Sequence, residues 1–293
     1  MPRYPKFVSA QKQILTYFST QRQRVYSILE LSKILEEQRG IWKLSINTNV
    51  EKFADQLIER EILKKIELIF PDTLVKTERY LFKDASPYEI ALSLRSKSYI
   101  SHYSAVFLNN LTTQVPKTIY VTHEQSKKQP IGKTQLLQNA IDHAFSQPQR
   151  ISNHTTKIGD YSLILLNGMY SNRAGVQNLI IDDYGIAVTN LERTLIDITV
   201  RPNYAGGIFS VLDTYRNALD KVSINKLAAT LSQINFIYPY HQSIGFLLER
   251  AGYSGKQLDL LRKKNMEIDF YLTYQIEEKQ YSKEWRIFYP KGM

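Results

Sequence analysis

From residue 45 to residue 83 the chain reads SINTNVEKFADQLIEREILKKIELIFPDTLVKTERYLFK, and its apolar positions keep two different periods. Val50, Phe53, Ala54, Leu57 and Ile58 recur at the i, i+3, i+4, i+7, i+8 spacing of a helix with one buried face. From Ile62 the period shortens. Ile62, Ile66 and Leu68 interleave with Lys64, Glu67 and Ile69 as a strand requires, Pro71, Asp72 and Thr73 supply a turn, and a second strand runs through Tyr80 and Phe82. A helix followed directly by a hairpin is how a winged helix ends, with the helix made for a DNA groove and the hairpin as the wing.

The upstream pattern fits that ending. Residues 7–19 predict a first helix, capped near Ser9 and burying Ile14, Leu15 and Phe18. Val25 and Tyr26 read as extended, and Leu31, Ile34 and Leu35 predict a short second helix closed by Gly40 at its C′ position. Helix, short strand, helix, helix, hairpin is the winged helix-turn-helix order, although the 40–47 connection is longer than the tightest such turns. Asp84 to Pro87 then reads as a linker, because Ser86-Pro87 favours an extended break and a new helix start. The expected division is therefore 1–84 and 85–293.

Beyond the linker the pattern mixes both periods. Helices are predicted over 87–95, 101–110 and 132–146, and strands over 118–122, 162–166, 179–182 and 186–188. The chain is then largely helical to 264, and it ends in strands over 268–274 and 284–289. No repeat period is visible. The fold class expected is α+β: an N-terminal winged helix-turn-helix followed by a larger mixed α+β domain.

Composition narrows the picture. The 293 residues are 43% hydrophobic and 23% charged, ordinary values for a globular chain. There are no cysteines, which excludes disulfides, thiolate metal sites and cysteine nucleophiles and fits a reducing cytoplasm. No apolar run approaches the ~20 residues of a membrane span, and no signal pattern opens the chain, so a cytoplasmic protein with no membrane partner is expected. The formal net charge is +10, which favours polyanions. Residues 1–83 hold 15 Lys/Arg against 10 Asp/Glu, and the remaining residues hold 23 against 18. The basic excess per residue is thus concentrated in the first segment.

If the third helix enters a groove, its N-terminal end faces the bases. Asn47, Thr48, Asn49 and Lys52 fall there, with Lys43 and Ser45 just before them. Asparagine can pair bidentately with adenine, and lysine can reach guanine or phosphate. Ser45 or Asn47 could equally be the helix N-cap and Lys52 a solvated charge. Trp42 reads as a core anchor. In the wing, Lys64, Lys65, Lys76 and Arg79 are candidates for phosphate, or ordinary surface charges.

Catalytic signatures are sparse. Ile131-Gly132-Lys133-Thr134 ends like a phosphate-binding loop, but Lys127 stands where the motif needs its first glycine. The five histidines show no i, i+4 pair, so a zinc site is not indicated. Asp182 and Asp183, followed by Tyr184-Gly185, fit a strand-to-strand turn. In residues 189–197 (TNLERTLID), Thr189 and Glu192 match a capping box, and Arg193 and Asp197 stand at i, i+4 on a mostly apolar helix. Glu192, Arg193 and Asp197 are either a structural ion network or a partner-contact cluster.

Four segments carry a resemblance to a known family: the winged-helix start, YISHYSA at 99–105 with VPKTIYV at 115–121, VTNLERTLID at 188–197, and YPYHQSIG at 238–245. Together they resemble the AbiEi antitoxins of type IV abortive-infection toxin–antitoxin systems over nearly the whole chain. The resemblance implies a transcriptional autorepressor that binds double-stranded DNA at inverted repeats in its promoter, as a monomer in solution or paired on DNA. It also implies a C-terminal domain that counteracts a nucleotidyltransferase-like toxin, not necessarily by touching it, with no cofactor and no enzymatic activity. The alternative from the residues alone is a metal-dependent nuclease using Asp160, Asp182, Asp183 or Glu192.

Overall fold

In a computed structural model, the structure describes residues 6–127, 136–181 and 183–293. The loop at 131–134 and Asp182 lie outside the described residues. The protein is α+β. It forms two compact units, one of Met1–Ser96 with His154–Leu163 and Leu179–Ile186, the other of Lys97–Asn153, Ile164–Asn178 and Ala187–Met293.

The first unit starts with α1 (Lys6–Thr20), β1 (Val25–Tyr26), α2 (Ile28–Gln38), α3 (Val50–Glu59), β2 (Lys64–Phe70), β3 (Val75–Leu81) and α4 (Pro87–Ser93). The three strands make one antiparallel sheet in the order β1-β3-β2. Its core is aromatic: Trp42 stacks on Phe53 at 5.8 Å, Tyr17 meets Trp42 edge-on at 5.5 Å, and Phe18 lies against Tyr26. Leu31, Leu35 and Leu57 fill the space between the helices. The sequence period thus places the buried stripe of α3 correctly at Phe53, Ala54 and Leu57. In α1, Ile14 and Phe18 are inside, but Leu15 is half exposed and Ser9 lies within the helix rather than capping it.

The boundary of this unit falls after α4, twelve residues later than the linker signal at 84 suggests. The reason is local chemistry. Ser86 and Glu89 form a complete capping box at the start of α4, and the same Glu89 takes both Nε and Nη2 of Arg24 in a largely buried ion pair. That pair fixes α4 to the segment leading into β1. Ile90 joins Val25, Leu68 and Leu81 in a small apolar cluster with Ile158 against it.

The second unit starts with β4 (Tyr99–Ile100), α5 (His102–Leu108), β5 (Thr118–Glu124) and α6 (Gln138–Ser146); β6 (Thr155–Ile158) comes next in the chain and clusters with the first unit. Then come β7 (Tyr161–Gly168), β8 (Val176–Ile181), β9 (Tyr184–Thr189) and α7 (Leu191–Val200). Three longer helices follow: α8 (Ile208–Asn217), α9 (Ile224–Ile234) and α10 (Tyr240–Arg250). The chain closes with α11 (Asp259–Arg262), β10 (Phe270–Tyr271), β11 (Lys279–Ser282) and β12 (Ile287–Pro290). The larger sheet runs β6-β7-β5-β4-β9-β8; β4 is antiparallel to β5 and parallel to β9. The smaller one runs β10-β12-β11.

Helix α7 is the axis of this unit and packs against α5, α8, α9 and α10. The C-terminal strands are held to α10 by Gln242, whose Nε2 donates to the carbonyls of Ile268, Trp285 and Arg286 at 2.9–3.0 Å. Trp285 is fully buried and donates to Glu249 at 2.9 Å. Its ring lies where a side chain at Gly245 would be: a Cβ there would sit 2.0 Å from the indole. Among the described residues, no helix is long and apolar enough to cross a membrane.

Candidate nucleic-acid interface and a buried polar cluster

In the first unit, α3 begins later than its sequence pattern implies. Asn49 is the N-cap, and its Oδ1 accepts from the backbone N–H of Lys52 at 2.9 Å. Ser45, Asn47 and Thr48 therefore precede the helix in a turn. The Ser45 Oγ accepts from the Asn47 N–H at 3.3 Å, and the Thr48 N–H donates to the Ser45 carbonyl. Asn47, Asn49 and Lys52 are exposed; Ser45 and Thr48 are half-buried.

The turn is held by a residue that sequence reasoning missed. Arg39 donates from Nη1 to the Ser45 carbonyl at 2.6 Å and from Nη2 to the Thr48 carbonyl at 3.0 Å. Nothing in the local pattern marks it, since an arginine at the end of an amphipathic helix is ordinary. Gly40 follows the C-cap Arg39 and so stands at C′ as expected, but its backbone is not left-handed. The left-handed residue is Lys43, at φ 52°, with the Leu44 N–H reaching back to the Arg39 carbonyl. Lys43 is exposed, so this lysine is part of the chain reversal as well as a surface cation.

The wing lysines divide. Glu67 and Glu78 face each other across the β2–β3 ladder, a like-charge pair that is destabilising unless relieved. Lys65 relieves it at Glu78 (2.5 Å) and Lys76 at Glu67 (3.0 Å). Lys64 is exposed with no ion pair among the described residues. Arg79 departs from the expectation of a phosphate contact. It is 9% exposed, and its guanidinium donates to the Ser93 hydroxyl, the Ser93 carbonyl and the Glu78 carbonyl. It ties α4 to the sheet because β3 turns its C-terminal half inward. At the wing tip, Asp72 bonds His154 at 2.9 Å and the His154 ring stacks on Phe70 at 4.4 Å.

In the second unit the i, i+4 pair forms as spaced: Arg193 Nε meets Asp197 Oδ1 at 2.8 Å with both side chains largely buried. The Arg193 Nη1 also donates to Ser171 Oγ at 3.0 Å and the Ala174 carbonyl at 2.7 Å, and Nη2 to the Tyr99 hydroxyl at 3.3 Å. Burial works most strongly against the arginine's charge, but Asp197, Tyr99 and Glu124 together outweigh it and raise its pKa. Burial likewise lifts the Asp197 carboxyl, with Arg193 pulling it back. Glu124 completes the network by accepting from Ser171 and from the Arg173 N–H, which holds it below the usual carboxylate range against the cost of burial.

Glu192 does not join this cluster. The expected capping box of Thr189 and Glu192 is absent, because Asn190 is the N-cap and accepts from the Arg193 N–H at 2.9 Å. Thr189 is instead bonded to Thr194 at 2.8 Å, and Glu192 accepts from the Ser223 N–H at 3.1 Å, at the start of α9. Of the carboxylates weighed as metal ligands, Asp160 and Asp183 belong to the first unit and Glu192 to the second; among the described residues no group of three or more such ligands gathers.

Beside Arg193 and Asp197 lies a cleft that the sequence did not announce. His102, at the start of α5, has φ 51° and is 6% exposed. Its Nδ1 is 2.8 Å from the Ser101 hydroxyl, which is 2.7 Å from that of Thr122. Burial, with Arg201 and Arg193 nearby, pushes the imidazole down to about 3. The cleft continues along Leu166, Asn167 and Met169 to Arg201 and Phe236.

The protein is thus α+β, with exposed polar residues at the start of α3 in its first unit and a buried polar cluster in its second. No family model and no curated protein matches the chain. Among solved structures it is similar to the crystal structure of the RV2827C protein from Mycobacterium tuberculosis, at a TM-score of 0.57 and 15% identity, over 96% of this chain and 91% of that one. That likeness is one of fold.

Proposed function

We propose that this chain is a DNA-binding transcriptional autorepressor and the antitoxin of a type IV toxin–antitoxin system, with a winged helix-turn-helix in its first unit. The observation that carries the DNA reading is the N-terminal end of α3, where Asn47, Asn49 and Lys52 are exposed, with Lys43 exposed in the turn before it and, in the hairpin that follows, an exposed Lys64 without an ion pair among the described residues. Backbone contacts from such lysines position a helix, and polar side chains at its N-terminal end read base edges. Asn49 has its carbonyl oxygen occupied by the cap, so Asn47 is the better base reader of the two. The antitoxin role rests on the resemblance of the four segments to AbiEi antitoxins.

The test is an anisotropy titration of the full chain against the DNA upstream of its own gene at several salt concentrations. A preferred fragment containing an inverted repeat is expected, with a log–log salt slope of roughly 0.9 per neutralised phosphate. Asn47→Ala should relax the preference. Binding without preference, or a preferred site unmoved by Asn47→Ala, would remove this reading of α3. Co-expression with the neighbouring gene tests the second role; growth rescue by the full chain is expected.

A further inference from the structure

The cleft beside Arg193 has no place in a DNA-binding reading, and it does not depend on that reading. Its walls come entirely from the second unit: the start of α5, β5, the end of β7, the end of α7 and the residues closing α9. Two kinds of surface meet there. One side is apolar, with Leu166, Val200, Ile234 and Phe236. The other carries Arg193, Asp197, Arg201 and His102.

Two arginines, Arg193 and Arg201, and one carboxylate, Asp197, line the polar side. Arg193 is matched by Asp197 at 2.8 Å and its remaining bonds go to Ser171, Ala174 and Tyr99. Arg201 is half-buried, its guanidinium 5.9 Å over the ring of Tyr204; its charge helps pull the Asp197 carboxyl down, but among the described residues its side chain makes no ion pair or hydrogen bond at contact distance. Its donors are open to an added anion, and the neighbouring histidine supplies no negative charge. When Thr122 donates to Ser101 and Ser101 to Nδ1, the neutral imidazole carries its proton on Nε2 and is a further donor. His102 also adopts a left-handed backbone conformation that non-glycine residues rarely take, of the kind that gathers at ligand clamps.

We propose that this cleft is a binding site for a small organic anion, a carboxylate or phosphate monoester with a flat apolar body. The anionic head pairs with Arg201 and accepts from His102, and the body lies along Leu166, Ile234 and Phe236. A charged head and apolar wall of this sort are the usual make-up of a small-molecule site, in which a few polar groups fix orientation. An arginine suits either headgroup because its planar donors match both.

The experiment uses the full chain at constant ionic strength, titrated by calorimetry with benzoate, phenyl phosphate, inorganic phosphate and, as a neutral control, benzyl alcohol. Saturable binding of benzoate or phenyl phosphate at millimolar concentration or below is expected, with benzyl alcohol at least about tenfold weaker, as loss of a charge-assisted hydrogen bond implies. Preference between the first two assigns the headgroup, and inorganic phosphate binding much more weakly than phenyl phosphate assigns a role to the apolar wall. Arg201→Met should weaken the anions by about tenfold and leave benzyl alcohol unchanged. Arg201 is only half-buried, so the variant should keep its thermal midpoint. In the unmodified protein the His102 ring resonances should move with benzoate and not with benzyl alcohol, a readout independent of any variant. Equal binding of anions and neutral control, anion binding unaffected by Arg201→Met, His102 resonances that stay still, or no binding at all would each overturn the proposal.

Discussion

Helices α3 and α7 start in the same way and end up doing opposite things. Each is capped by an asparagine, Asn49 or Asn190, whose Oδ1 accepts from the N–H three residues on at 2.9 Å. Each then carries a basic residue at that third position, Lys52 or Arg193. Lys52 is exposed on a helix with one buried face, while Arg193 is buried on a helix that is enclosed almost all round. The difference teaches that a cap fixes where a helix begins and nothing about what its first turn is for. Surroundings decide that: an exposed cation is available to a polyanion, and a buried one must be satisfied within the protein.

The sharpest way to break the comparison is to remove the buried cation. Arg193→Met leaves Asp197 buried without its partner and Ser171, Ala174 and Tyr99 without a donor. A loss of about 3–5 kcal/mol is expected, read as a fall in the denaturant midpoint. Lys52→Met should leave that midpoint unmoved. Equal effects would mean that the α7 network adds nothing to stability.

A second prediction uses pH. His102 falls from an ordinary value of 6.5 to about 3 on folding, and His241, desolvated and near Lys264, to about 4. A histidine whose pKa drops on folding takes up protons more readily when unfolded. Its contribution is therefore complete above 6.5 and is lost as pH falls toward the folded value. Each pH unit below 6.5 should cost about 1.4 kcal/mol for His102. Glu30, Glu89 and Glu124, all held below the usual carboxylate range, act in the same direction at lower pH. His102→Asn suits the left-handed conformation and should flatten the stability curve by about one proton between pH 6 and 4. An unchanged slope in that variant would show that His102 protonates freely in the folded state.

The caps themselves give a smaller effect. Asn49→Ala and Asn190→Ala should each cost about 1 kcal/mol in chemical denaturation, since the local bond is the same. A much larger loss at Asn190 would mean that its cap also holds the Arg193 network in place. The smallest expected effects are on the surface. Lys52→Ala should lower the DNA salt slope by roughly 0.9, whereas Lys76→Ala, which also frees Glu67, should lower it less and weaken binding by added repulsion. Equal slopes for the two variants would show that the Lys76–Glu67 pair opens on DNA.

Most of the architecture follows from local pattern. The change from a helical period to alternation near residue 62 marks the passage from α3 to β2, and the apolar stripe of α3 gives its buried face, because both depend on residues a few positions apart. Ser86-Pro87 gives the start of α4 for the same reason. Sequence alone also fixed the i, i+4 spacing of Arg193 and Asp197 and the concentration of positive charge before residue 84.

What only the tertiary structure decided depends on distant neighbours. β4, β6 and β11 have two to four residues, too few for alternation to register, and exist because other strands lie beside them. Arg79 and Lys76, three residues apart in one strand, point to opposite faces by alternation, but that α4 brings Ser93 to Arg79 while Lys76 stays at the surface is decided only by packing. Arg39 matters because the chain after it doubles back within reach. His102 and Arg201 are nearly a hundred residues apart, and packing of α5 against α7 makes them walls of one cleft. Hydrophobic period is a property of a segment, but burial of a charge is a property of everything around it, and that is set only when the chain has folded.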